Sequence, residues 1–152
     1  MANVVVIDRG WKSIMQEMQK AHRLEVAVGV QVGSVDSEGN SVAAYGAYNE
    51  YGTSKIPSRP FMATAFDEGR AAIDADFVTQ ARLLQDGKIG AHGALLTIGL
   101  KHADRIKNTI TGRNFTPALA ASTVKAKKGS TKTLVDTGAL VASIQPVVRG
   151  RT

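Results

Sequence analysis

Between Leu24 and Gly33 the chain alternates strictly. Leu24, Val26, Val28, Val30 and Val32 fall on one side, and Glu25, Ala27, Gly29, Gln31 and Gly33 on the other. Period two with β-branched residues predicts a strand with one buried and one thinly covered face. The small alternate residues leave room for another backbone to approach. Before this run, Trp11, Ile14, Met15 and Met18 share one helical face, with Lys12, Gln16, Glu17 and Lys20 elsewhere. A helix over 9–22 follows, with Asp8 as its cap and Trp11 as a core anchor. After it, residues 36–40 form a polar turn. In 41–48, Val42, Tyr45 and Tyr48 recur every third residue behind a capping Ser41, which favours a short helix. Val and Tyr also suit a strand.

Residues 53–60 read as a loop, because Pro57 and Pro60 fix their own φ and disfavour helix at Ile56 and Arg59. A long helix starts after Pro60. Phe66, Ile73, Phe77 and Leu84 make its apolar stripe, with Asp67, Arg70, Asp74 and Arg82 off it, and Gly87 ends it. A second long helix spans about 89–111. Ile89, Leu96, Ala103 and Ile110 recur every seven residues, widened by Leu100 and Ile106, and Gly112 closes it. Gly90, Gly93 and Gly99 each cost this helix about 1 kcal/mol of propensity, which either points to close helix packing or simply weakens the helix. Thr116-Pro117 fits the start of a short helix over 117–124. Residues 113–133 as a whole are polar and basic and read as a flexible loop, most clearly at 129–133. Asp136 or Thr137 caps a last helical turn, and 144–148 is a strand that Pro146 assigns to an edge. The sum is a single α+β domain: a small, mostly antiparallel sheet against two long helices, with an N-terminal helix and a basic C-terminal segment.

Charge sharpens the picture. The net charge is +6, but residues 1–100 carry −2 and residues 101–152 carry +8. A basic C-terminal third suits an acidic partner, either nucleic acid or an acidic protein surface, and equally suits a merely solvated segment. Lys125, Lys127, Lys128 and Lys132 are its densest part. Phe115 is the one Phe, Tyr or Trp after residue 100, so base-stacking platforms are missing there. No helix-turn-helix, zinc-finger or RNA-recognition signature is present. Weak, salt-sensitive contact with DNA phosphates is the form of nucleic-acid binding that remains.

The chain has no cysteine, so disulfides, thiolate zinc sites and cysteine nucleophiles are excluded, and a reducing compartment suits it. No apolar run reaches the ~20 residues of a membrane span. The apolar start, 1–7, has neither a basic leader nor a cleavage site, so the expected setting is soluble and intracellular. His92 and His102 are ten residues apart on one expected helix, which is not a metal pair. Neither a nucleophile elbow nor a phosphate loop is found. No catalytic, cofactor or metal residue is assigned, and the chain reads as a non-enzyme.

Two stretches are more distinctive. The first is Ala44-Tyr45-Gly46-Ala47-Tyr48-Asn49-Glu50-Tyr51-Gly52-Thr53, continuing through Ile56-Pro57-Ser58-Arg59-Pro60-Phe61. The second is Thr123-Val124-Lys125, then Leu134-Val135-Asp136-Thr137-Gly138-Ala139-Leu140 and Ser143-Ile144. Physically, Glu50 can accept backbone N–H bonds or pair with Arg59. Gly52 permits a φ that a side chain forbids, and Phe61 enters the core as the long helix starts. Asp136 and Thr137 offer capping oxygens, and Gly138 allows tight packing. Such residues serve the stability of one subunit, or hold a rigid loop against a neighbour.

Together the two stretches resemble the virion morphogenesis, or tail-completion, family of tailed bacteriophages. That family includes Mu-type and minor-tail-protein-Z-like head–tail joining proteins. Its pattern couples Asn-Glu-aromatic-Gly-Thr to Pro-x-Arg-Pro-Phe, then adds a Lys-rich stretch and Leu-x-Asp-Thr-Gly-x-Leu-x-x-Ser-Ile. The resemblance covers roughly residues 24–148. It implies a structural virion protein, made in the bacterial cytoplasm, that forms a ring at the neck between tail and head. The ring would be a hexamer in contact with the head connector and with tail-tube or tail-terminator proteins. No membrane and no cofactor are implied. The other reading of the residues is a small basic nucleic-acid-binding protein.

Overall fold

The alternating run becomes β1, Leu24–Val30, in the computed structural model, which describes residues 8–118, 124–125, 134 and 138–151. Its partner is β2, Ile144–Gly150, paired antiparallel with Leu24 opposite Gly150 and Val30 opposite Ile144. The ladder stops there, so the alternation overreaches by one turn of pattern: Val32 lies beyond the last pair and is 97% exposed. Pro146 sits opposite Val28 on an edge strand, where a residue lacking an N–H is tolerated.

The two long helices are α3, Phe61–Gln85, and α4, Ala91–Gly112, preceded by α1, Trp11–His22, and α2, Val42–Tyr51. A short α5, Ala139–Ser143, leads into β2. Ion pairs join Glu68 to Arg113 and Asp76 to Lys101 and Arg105, so α3 and α4 run antiparallel. The core gathers Val42 of α2, Phe61 and Ala65 of α3, Ala103, Ile106 and Ile110 of α4, then Phe115, Leu134, Leu140 and Ile144. The expected α+β architecture is therefore what forms.

Ser41 caps α2 as its type allows, its Oγ accepting from the Ala44 N–H at 3.3 Å. The helix alternative for 41–48 is thus the one adopted. It runs on to Tyr51 and ends at Gly52, whose φ is +77°.

Several details differ from the sequence pattern, each for a visible reason. Asp8 does not cap α1. The chain enters that helix through Gly10 at φ +93°, a left-handed conformation that takes the cap position away from a side chain. Trp11 is 65% exposed rather than a core anchor. The inward face of α1 is instead carried by Ile14, Glu17 and Ala21, all half-buried. In α3, Phe66 and Phe77 stay on the surface while Ile73 and Leu84 are buried beside Asp76 and Gln80. The α3 stripe thus turns toward polar residues that α4 satisfies. Leu100 of α4 is exposed, and Ile89 precedes the helix. No helix begins at Pro117, since 116–118 are irregular. Beyond residue 118, Val124 and Lys125 are the described residues at the end of the expected 117–124 segment, and both are helical. The stretch 129–133, expected to be flexible, lies outside the described residues.

Of the three α4 glycines, Gly99 marks the close approach. A Cβ there would stand 2.6 Å from Val26 Cγ2 and 2.7 Å from Pro146 Cβ. Gly90 is the residue before the helix, and Gly93 meets only Ile89. The sheet therefore rests on α4 at Gly99. Substituting Gly99→Ala adds up to about 1 kcal/mol of helix propensity. It also overpacks a helix–sheet contact, at about 1–3 kcal/mol. We expect net destabilisation, read as a lower urea midpoint at unchanged slope; a raised midpoint would mean that the sheet does not seat on this residue.

Candidate assembly surface

Both long helices begin on residues that cannot cap them with a side-chain oxygen, Pro60 and Gly90. The first N–H groups of a helix need acceptors, and here other helices supply them. Glu50, near the end of α2, accepts from Met62 N with Oε2 and from Ala63 N with Oε1, each at 2.9 Å. Glu17 of α1 accepts from Ala91 N at 2.8 Å. A carboxylate at a helix N-terminus also meets the positive end of the helix dipole. The Lys20 ammonium, then the Ala91 N–H, hold the Glu17 carboxyl below its ordinary range.

The segment 49–61 is wired to itself. Asn49 Nδ2 donates to Tyr45 O at 2.9 Å, and Asn49 O accepts from Arg59 N at 2.6 Å. Ser58 Oγ donates to Glu50 O at 2.8 Å. Thr53 Oγ1 accepts from the Lys55 and Ile56 N–H groups, and Thr53 N donates to Ile56 O at 2.8 Å. A Cβ on Gly52 would lie 2.9 Å from Ser58 N, so this position needs glycine for space as well as φ. Pro57 and Pro60 are exposed at the outside of the loop, while Phe61 is fully buried. The two distinctive stretches meet in the core, where Phe61, Leu134, Leu140 and Ile144 cluster.

Glu50 and Arg59 do not pair. Both Glu50 oxygens face α3, and the buried Arg59 sends Nη2 to Pro117 O at 3.2 Å, leaving Nε buried without a partner. Backbone capping, the other option for Glu50, is what the carboxylate does. Gly138 stands immediately before α5 at φ +78°. Asp136 and Thr137 lie outside the described residues, as do Lys127, Lys128 and Lys132. Lys125 is exposed.

Three of the four exposed residues of α2 are aromatic. Tyr45, Tyr48 and Tyr51, the chain's three tyrosines, follow one another at every third residue of α2, and Tyr51 is 80% exposed. Beside Tyr45 a cleft of about 120 Å³ opens among Asp36, Glu38, Val42, Leu134 and Leu140. Asp36 is held by the Asn40 backbone and side chain, which keep its carboxyl below the usual range.

A second polar cluster lies between the long helices. Buried Asp76 accepts from Lys101 Nζ at 2.6 Å and from Arg105 Nη2 at 2.5 Å. The Lys101 bond first, then that of Arg105, hold its carboxyl low. His102 packs edge-on against Phe66, with ring centroids 6.1 Å apart. Burial, then the Arg105 charge, push its imidazole toward the neutral form. Among the described residues no group of three or more His, Asp or Glu is placed to hold a metal, and no helix is long and apolar enough to cross a membrane.

Sequence reasoning missed the Glu17 cap, the Asp76 cluster and the cleft. Gly90 before an apolar helix, without a capping residue, was the one signal that an acceptor must come from elsewhere. Compared with known proteins, the chain matches no family model, no curated protein and no solved structure.

Proposed function

We propose that this chain is a structural subunit of a tailed-bacteriophage virion, forming a homo-oligomeric ring at the head–tail junction. The observation that supports this reading most is the division of labour in 42–61. Asn49, Glu50, Gly52, Arg59 and Phe61 are consumed in holding the segment rigid. Tyr48 and Tyr51 of the same segment are left on the surface. A stiff scaffold presenting aromatic side chains loses little entropy on docking, which is what a subunit interface needs. Identical copies joined head to tail close into a ring when the rotation closes, and a sixfold ring matches the expected tail symmetry. The ring caps the tail tube, meets the head connector, and leaves the basic C-terminal third for an acidic neighbour or the DNA path.

The mass of the purified protein, alone and with its tail-tube partner, tests the proposal. The wild type should assemble, whereas a Tyr48→Ala/Tyr51→Ala variant should dissociate at concentrations where the wild type does not. Because both side chains are exposed, each should change folding stability by about 0.5 kcal/mol or less. Virions that lack the polypeptide yet keep firmly attached tails would end the proposal. The alternative, a small basic nucleic-acid-binding protein, is favoured only by the +8 charge of residues 101–152. It requires tight DNA binding that falls steeply with salt, without an assembled mass.

A further inference from the structure

α1 is amphipathic, yet none of its residues is buried. Trp11, Met15 and Met18 are exposed along one side of it, bordered on the helix surface by Lys12, and Arg23 stands at its end. A lone exposed tryptophan beside methionines and cations has the composition of an interface anchor. The cleft beside Tyr45 has the complementary character. Val42, Leu134 and Leu140 line it, and among the described residues its charged lining is acidic, Asp36 and Glu38. Its volume of about 120 Å³ is below the ~150 Å³ cavity that encloses one benzene ring, so it takes one edge of an indole whose remainder stays at the open mouth.

The two features cannot meet within one molecule. Ile14 packs beside Gly87 and Glu17 caps Ala91, which places α1 at the α3–α4 turn. The cleft shares Val42, Leu134 and Leu140 with the core around Phe61, at the opposite ends of those antiparallel helices. β1 likewise separates α1 from the 36–40 turn by seven residues, or roughly 20 Å of extended chain. We propose that Trp11 of one copy seats in the Asp36–Glu38 cleft of the next, with Lys12 at the acidic rim. This inference rests on the ring reading and names the head-to-tail contact within it. A heterologous contact of this kind, one end against the other, is what a closed ring requires.

Trp11 is the only tryptophan, so its fluorescence reports this contact without a label. Mass and emission are measured on the same samples across a dilution series. Assembled wild type should emit at shorter wavelength than the dissociated subunit. Trp11→Ala should raise the concentration needed for assembly about 30-fold or more, with the Tm of the dissociated subunit unchanged. Lys12→Glu and Glu38→Lys should each weaken assembly, and the double variant should recover it, as exchanged rim charges do. If the wild type assembles while its emission stays that of a water-exposed indole, or Trp11→Ala assembles at wild-type concentration, the contact is wrong and the ring survives. If the wild type stays monomeric even with its tail-tube partner, the ring falls and the contact with it.

Discussion

Replacing Glu50 with alanine should cost about 2–4 kcal/mol of folding stability, because two helix-start N–H groups lose their acceptors together. The figure sits below twice the upper cost of an unsatisfied donor because Ala63 is exposed and water can reach part of the site. The carboxylate also meets the positive end of a 25-residue helix, and a charge there contributes up to ~2 kcal/mol in partly buried geometry. Glu50→Gln keeps one acceptor oxygen and removes the charge. Its loss should therefore be about half that of alanine. Urea unfolding of the two variants gives the comparison, and amide exchange at Met62 and Ala63 locates it. A Glu50→Ala protein as stable as the wild type would show that α3 does not depend on this cap. Assembly should fail in the alanine variant as well, since the 49–61 loop hangs on the same residue.

The second large effect is expected at Asp76. Its removal leaves Arg105, a quarter exposed, and Lys101, half exposed, facing each other across the α3–α4 contact. Severing one side of a buried pair costs ~3–5 kcal/mol, and the partial exposure of both cations lowers this to about 2–4 for Asp76→Ala. The pair itself is a different matter. Replacing Asp76 together with the more buried of its two cations, Asp76→Leu with Arg105→Leu, should recover most of the loss, since Lys101, half exposed, can turn its charge to water. The pH dependence follows from the lowered carboxyl pKa, caused first by Lys101 and then by Arg105. A depressed carboxylate contributes stability above its unfolded-state pKa, near ~3.9, and loses it as the pH falls through the folded value. The gap between wild type and Asp76→Ala should therefore be full at neutral pH and close in strong acid. A gap that persists unchanged at low pH would assign the effect to packing rather than charge.

These two carboxylates also mark what could be read from the residues in advance. The period-two run gave β1, and the prolines and Gly87 bracketed α3, because local sterics act through neighbours in the chain. The rotation of α1 and the stripe of α3 were misjudged for the opposite reason. Glu17 points inward because Ala91, 74 residues away, needs an acceptor. Asp76 displaces Phe66 and Phe77 as the buried choice because Lys101 and Arg105 receive it. A polar residue counts as core only when its partner is known, and that partner lies on another element. The motif 49–61 was legible as important, and its rigid turn was expected. That Glu50 would serve α3 rather than Arg59 depended on where the helix start falls in space.

Leu24 is paired with Gly150, so the sheet joins the two distant arms of the chain. During synthesis, β1 leaves the ribosome long before its mate exists, and closing so wide a loop is entropically costly until the helical hairpin has brought the arms together. Closure of the sheet is therefore expected to follow the docking of α3 on α4, and a polypeptide truncated before residue 144 would lack the sheet altogether.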